Sequence, residues 1–327
     1  MFWIELAVLL LLIAWGVRKG GVFLTLAGGI GAFVLTFVFK APMADPPMTV
    51  LRIILAVVIA GGAMQAAGGI EYLVALAEKI MRKHPKSITI IAPLVSWLFV
   101  FCCGTGHILW SLLPIINEIA IENGIRPERP IAASVVSSQN AVCGTPLAAA
   151  TAALVGFLEE AGSVDMIKVL MVVIPATLLG SLASGLVMLK KGKELADDPE
   201  FQRRVADGTL VLNKKSESEK IDTSKFSKQS KLSVVVFLAA MVCIVLLGVV
   251  KPLRPVLGDG STMGMTDIIQ IFMLIAAAVI CIFMDKKPDV ILDMPVFRSG
   301  VFAAVITLGL CWMVNIFISS QSAFLTE

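Results

Sequence analysis

Charge is what this sequence has least of. Only 16% of its 327 residues are Asp, Glu, Lys or Arg, against 57% hydrophobic, whereas a soluble globular domain keeps about a quarter of its residues charged. That excludes a water-covered surface and makes lipid the solvent. The net charge of +3 is too small, and its residues too scattered between apolar runs, for a nucleic-acid partner. With two histidines in the chain, no metal site built on His is expected. The six cysteines (Cys102, Cys103, Cys143, Cys243, Cys281, Cys311) fall in or beside apolar segments without CxxC or His-paired spacing. They read as small apolar packing residues, not disulfides or metal ligands. No zinc spacing, Walker-type loop or dinucleotide fingerprint occurs, and no cofactor is expected. The tests for an intramembrane enzyme fail as well. There is no HExxH and no GxGD aspartate, and Ser184-Gly185 follows Leu182-Ala183 rather than the Gly-x of a rhomboid-type nucleophile.

What is present is a series of apolar runs, at about 2–17, 20–39, 50–70, 87–103, 166–189, 232–250, 265–284 and 297–319. A helix needs about 20 mostly apolar residues to cross the hydrocarbon. The first run lacks a basic lead-in and a small-residue cleavage site, so it reads as a transmembrane helix and not a cleavable signal. The fold class is therefore all-α and integral to the membrane, a polytopic, multi-pass bundle. Basic residues of the short loops (Arg18 and Lys19; Lys79, Arg82, Lys83 and Lys86; Arg126 and Arg129) place the amino terminus outside, with about ten crossings. Residues 190–231, rich in Lys, Asp, Glu and Ser, read as a polar cytoplasmic linker, with a short amphipathic piece around 199–212. The expected domains are an amino-terminal bundle, 1–189, the linker, and 232–327 as the start of a second bundle.

Between 104 and 160 the apolar character breaks twice, at Gly104-Thr105-Gly106-His107 and at Cys143-Gly144-Thr145-Pro146. Broken backbone is tolerated at membrane depth only where it is buried or lines a water-filled cavity, and carriers bind solute at such breaks. Before the second break stand Ser137-Ser138-Gln139-Asn140, four polar side chains in an apolar crossing. Gly144 lets the backbone leave the helix, Thr145 suits an N-cap and Pro146 the first helical position of a helix at 147–159. The alternative role of such residues is glue between helices. At the first break Thr105 would cap the helix 108–121, while Gly104 and Gly106 allow close backbone approach. His107 is an ionisable group at membrane depth, a functional candidate by that fact.

The candidate binding residues are thus Gly104, Thr105, Gly106, His107, Ser137, Ser138, Gln139, Asn140, Gly144 and Thr145. Arg126 and Arg129 join them as groups that could clamp a carboxylate at the cytoplasmic mouth, or else act as positive-inside anchors. Each helix amino terminus offers roughly half a unit of positive charge, and no Lys or Arg lies centrally in either broken segment. Binding an anion there calls for a further cation: a coupling ion, sodium or proton, or a basic residue from elsewhere.

Several short motifs carry a family likeness: Gly16-Val17-Arg18-Lys19-Gly20-Gly21, Ala67-Gly68-Gly69, Cys103-Gly104-Thr105-Gly106-His107, Arg126-Pro127-Glu128-Arg129-Pro130, Ile174-Pro175-Ala176-Thr177-Leu178 and Val296-Phe297-Arg298-Ser299-Gly300. In them the chain resembles the anaerobic C4-dicarboxylate carriers of the DcuA/DcuB family, with the DcuB branch nearest. The resemblance implies a secondary transporter exchanging fumarate, malate, aspartate and succinate in anaerobic respiration, with an ion-transporter-type fold of broken helices. It also implies a membrane sensor kinase as a kind of partner. Members of that family are longer and carry a second polar break in their carboxy-terminal part, so this chain reads as lacking that part. A non-transporting membrane sensor or assembly subunit is the alternative function.

Overall fold

The computed structural model of the protein describes residues 2–148, 151, 154, 166–207, 226–258 and 260–322. Among these residues the chain is helical, and its one extended pairing is an isolated β-bridge between Val256 and Thr262. In chain order the helices are α1 (Phe2–Lys19), α2 (Phe23–Phe33, continued by a π-helical turn at Val34–Val38), α3 (Met48–Ala66), α4 (Gly69–Lys83), α5 (Ile88–Cys103) and α6 (His107–Glu122). They continue as α7 (Glu128–Gly144), α8 (Met166–Met188), α9 (Pro199–Ala206), α10 (Lys228–Val249), α11 (Met265–Phe283) and α12 (Pro295–Ser320). Of the described helices, 6 are long and apolar enough to cross a membrane, among them Ile167–Met188 and Pro295–Ser320. The all-α, multi-pass architecture expected from the sequence is what is found.

Contacts between helix ends define two sides. On one, Ser230 at the start of α10 donates to the Ala67 carbonyl after α3 (2.9 Å), and Val296 N at the start of α12 donates to Gln65 Oε1 (3.0 Å). Asp285 N after α11 donates to Gln229 Oε1 on the same side. On the other, buried Glu5 of α1 accepts from Ser320 Oγ and Gln321 Nε2 at the end of α12. There Arg52 of α3 faces Asp267 of α11, and Trp312 Nε1 reaches the Ala44 carbonyl. Arg18, Lys19, Lys79, Lys83, Lys86, Lys190, Lys191, Lys228 and Lys286 all belong to the first side. Lys40, Arg52, Lys168 and Arg254 belong to the second. The excess of basic residues makes the first side cytoplasmic.

The same contacts correct the expected path. The run 50–70 ends as a span at Ala66, because Gly68 takes a left-handed φ of +80° and starts a separate helix. That helix, α4, buries Ile70, Leu73, Ala77 and Met81 while Glu71, Lys79 and Lys83 are exposed. The runs 87–103 and 108–121 are not two crossings. Arg82, just ahead of α5, is paired with Glu118 and Glu122 in the last turns of α6, at 3.2 and 3.0 Å. The beginning of α5 and the end of α6 therefore lie on one side, and the two helices are a re-entrant hairpin. Each has 16 residues, about 24 Å of helix, short of the roughly 30 Å hydrocarbon. Hydropathy registers how long an apolar run is but not a reversal inside it, so the expected count of crossings was too high.

Packing does not follow chain order. α12 lies against α2 and α3, α11 against α3 and α10, and α1 against α2. The helices after the linker thus share one group with those at the amino terminus. α5, α6, α7 and α8 form a second group, and α4 touches both through α10 and α6.

Candidate functional site

The depth of the second break follows from the packing of α7 on α8. Arg129 Nε donates to the Lys191 carbonyl (2.7 Å), Ser137 and Ser184 hydroxyls are 3.3 Å apart, Asn140 lies against Gly180, and a Cβ on Gly144 would be 2.7 Å from Thr177 Oγ1. The pairs advance in step, so the helices are antiparallel. α8 has 23 residues, about 34 Å, and Thr177 is at its centre. α7 therefore stops near the middle of the membrane. Its last carbonyls are not abandoned: Thr151 Oγ1 donates to Cys143 O (3.0 Å) and Val142 O (3.3 Å). Thr145 turns extended and its hydroxyl accepts from Leu147 N at 3.3 Å, while residues 146–148 form a turn and not the first residues of a helix. Most of the helix expected at 147–159 lies outside the described residues.

The first break meets the second. Gly104 ends α5 with φ +69°, a conformation that only glycine adopts without strain, and a Cβ there would sit 2.7 Å from Leu147 Cβ. Thr105 Oγ1 accepts from His107 N (3.4 Å) at the start of α6. The hairpin tip and the end of α7 thus open on one cavity of about 450 Å³. Gly104, Thr105, Gly106, His107 and Gln139 line it, together with Cys103, Trp110, Val142, Leu147 and Ala148. A further wall comes from Ile54, Val57 and Val58 of α3 and Val296, Ser299, Gly300 and Ala303 of α12. Among the described residues of the lining only His107 and the Cys103 thiol are titratable, and none is Lys or Arg. Chemically this is a mostly apolar cavity, open where His107, Trp110 and Gln139 are exposed, with hydroxyl, amide and imidazole groups beside the amino terminus of α6.

The other candidates lie elsewhere. Ser137 and Ser138 are fully buried between helices, Ser138 donating to the Val135 carbonyl at 2.8 Å. Gly144 and Asn140 face α8, and Thr145 is buried in the break. Arg126 and Arg129 hold the segment after α8. Arg129, 5% exposed, donates to Lys191 O, Gly192 O and Glu194 Oε1, and Arg126 pairs with Asp198 at 2.9 Å. They are not among the cavity lining, because the carbonyls ending α8 and the carboxylates of the linker occupy them. Asp198 caps α9, and the backbone amides of Phe201 and Glu200, with Arg126, hold its carboxyl below the usual range.

The whole chain, residues 1–327, matches the family described as the anaerobic C4-dicarboxylate membrane transporter. The chain belongs to that family. It is similar to the anaerobic C4-dicarboxylate transporter DcuB of Shigella flexneri, 38% identical over 96% of this chain and 71% of that protein. The C4-dicarboxylate transporter DcuA of Wolinella succinogenes is 35% identical over 97% of this chain and 72% of its own length. DcuA of Escherichia coli is 36% identical over 98% and 72%. No solved structure matches. The chain is accordingly a multi-pass inner-membrane protein of a transporter family. Within it, sequence reasoning missed the α3 and α12 wall. Ser299 stood in a motif of the family likeness, but no local signal joined it to residues some 190 positions earlier.

Proposed function

We propose that the chain is a secondary transporter for C4-dicarboxylates, exchanging fumarate, malate, aspartate and succinate, with no catalytic role. The observation that carries the reading is the single chamber shared by two broken helices at mid-membrane, in a chain whose family and relatives bear that activity in their names. One carboxylate would rest at the start of α6, where the first-turn amides carry partial positive charge, supported by Thr105, His107 and Gln139. Ser137, Ser138, Asn140, Gly144 and Thr145 would shape the break around it and not touch the ligand. Arg126 and Arg129 would keep α7 in place from the cytoplasmic side. A dianion exceeds the charge this site offers, so a coupling cation, sodium or proton, belongs to the proposal. A membrane sensor kinase as partner rests on the family likeness alone.

The test is counterflow in proteoliposomes. Labelled succinate outside should accumulate against unlabelled fumarate inside, and a sodium or proton gradient should alter the rate if that ion is coupled. Absence of counterflow from a folded, reconstituted chain would refute the reading in favour of the sensor or assembly subunit.

A further inference from the structure

The chamber's polar groups are divided between two helix groups. Those of the hairpin and α7 have been described. The wall from α3 and α12 is hydrocarbon and glycine except for one hydroxyl, that of Ser299.

That hydroxyl is held in place from both flanks. Three residues before it, Val296 N donates to Gln65 Oε1 of α3 at 3.0 Å. One residue after it, Gly300 packs on Val58 so closely that a Cβ would fall 2.7 Å from Val58 Cγ1. The first turn of α12 is therefore locked to α3, and Ser299 projects from a rigid element. Its Oγ donates to the Val296 carbonyl at 3.0 Å, a local i to i−3 bond of a kind that serine forms weakly. Rotation of the proton alone turns this donor toward a ligand, with no movement of the oxygen. The neighbouring cation, Arg298, is exposed and engaged with Asp293 at 2.8 Å.

A ligand that satisfies both polar regions must carry an acceptor at each end of a short hydrocarbon. Resting on the dicarboxylate reading above, we propose that Ser299 is the second carboxylate anchor. One carboxylate sits at the hairpin tip and the other at Ser299, so that a dicarboxylate touches both helix groups and a monocarboxylate touches one. Ser299 then sets the preference for two carboxylates over one.

The experiment compares wild type, Ser299→Ala and Ser299→Thr as full chains in proteoliposomes. Succinate counterflow gives KM, and butyrate, of equal carbon number with one carboxylate, serves as competitor. Ser299→Ala should raise the succinate KM about tenfold, the size of a hydrogen bond to a charged group. Ser299→Thr, which keeps the hydroxyl, should restore it to within about twofold, and the melting temperature and the inhibition constant of butyrate should not change. An unchanged succinate KM in Ser299→Ala, or an equal weakening of succinate and butyrate, would overturn the assignment. Wild type without succinate counterflow would bring down the dicarboxylate reading itself, which is a separate result.

Discussion

Polar side chains that look alike in the sequence divide sharply by what they touch. Gln139 faces the chamber, while Ser138, its neighbour, gives its hydroxyl to the Val135 carbonyl inside the helix packing. Replacing a chamber-facing group should therefore act on affinity, and replacing its neighbour on stability. Gln139→Leu and Thr105→Val are expected to raise the succinate KM about tenfold, one hydrogen bond to a carboxylate, whereas Ser138→Ala leaves KM unchanged in the same flux assay. Arg129→Ala removes the donor from the Lys191 and Gly192 carbonyls at a buried site, and should lower stability by roughly 1–3 kcal/mol, read by thermal denaturation in detergent. Asp198 has its carboxyl lowered by the amides of Phe201 and Glu200 and by Arg126. The stabilisation it gives is complete above the ordinary carboxylate value and lost as pH falls through the lowered one. Proteolysis of the segment after α8 should stay slow through the usual carboxylate range and accelerate only below it. Asp198→Asn should be cut faster at neutral pH, with a flatter profile.

The hairpin α5–α6 is an element that neither of its halves specifies. Its turn depends on Gly104 at φ +69° and on the contact of that residue with Leu147. A left-handed alanine costs about 1–2 kcal/mol in the backbone alone, and here its Cβ would also strike Leu147. Gly104→Ala should thus displace the tip and abolish counterflow while the chain still inserts. The re-entrant path has its own consequence for thiol chemistry. With native cysteines removed, succinate should slow the labelling of a cysteine at Thr105 by a maleimide. Rapid labelling from outside that succinate does not slow would mean that α5 and α6 each cross the membrane.

At the scale of the whole molecule, the chamber is walled by helices from distant parts of the chain: α3 and α12 on one part, α5 to α7 on the other. A ligand bound there stabilises every element that must be folded to form it. Succinate at 100 times its dissociation constant should add about 2.7 kcal/mol to the apparent stability of the intact chain. A shift in melting temperature with succinate but not with a neutral C4 diol would carry that prediction, and equal shifts would defeat it. The linker at 190–231 divides the sequence without dividing the packing, since α11 and α12 lie on α2 and α3.

The sequence by itself determined the solvent, the helical class and the two places where helices stop. All of these depend on composition or on a few neighbouring residues. Only the tertiary structure decided that the two stops share one chamber, that α5 and α6 turn back, that Arg126 and Arg129 hold the linker, and that Ser299 faces the site. The reason lies in the medium. In water a helix declares its inward face by an apolar stripe, but in a bilayer lipid and protein interior are both apolar. The sequence of a span therefore says little about which side its few polar groups meet, and that is settled when the helices pack.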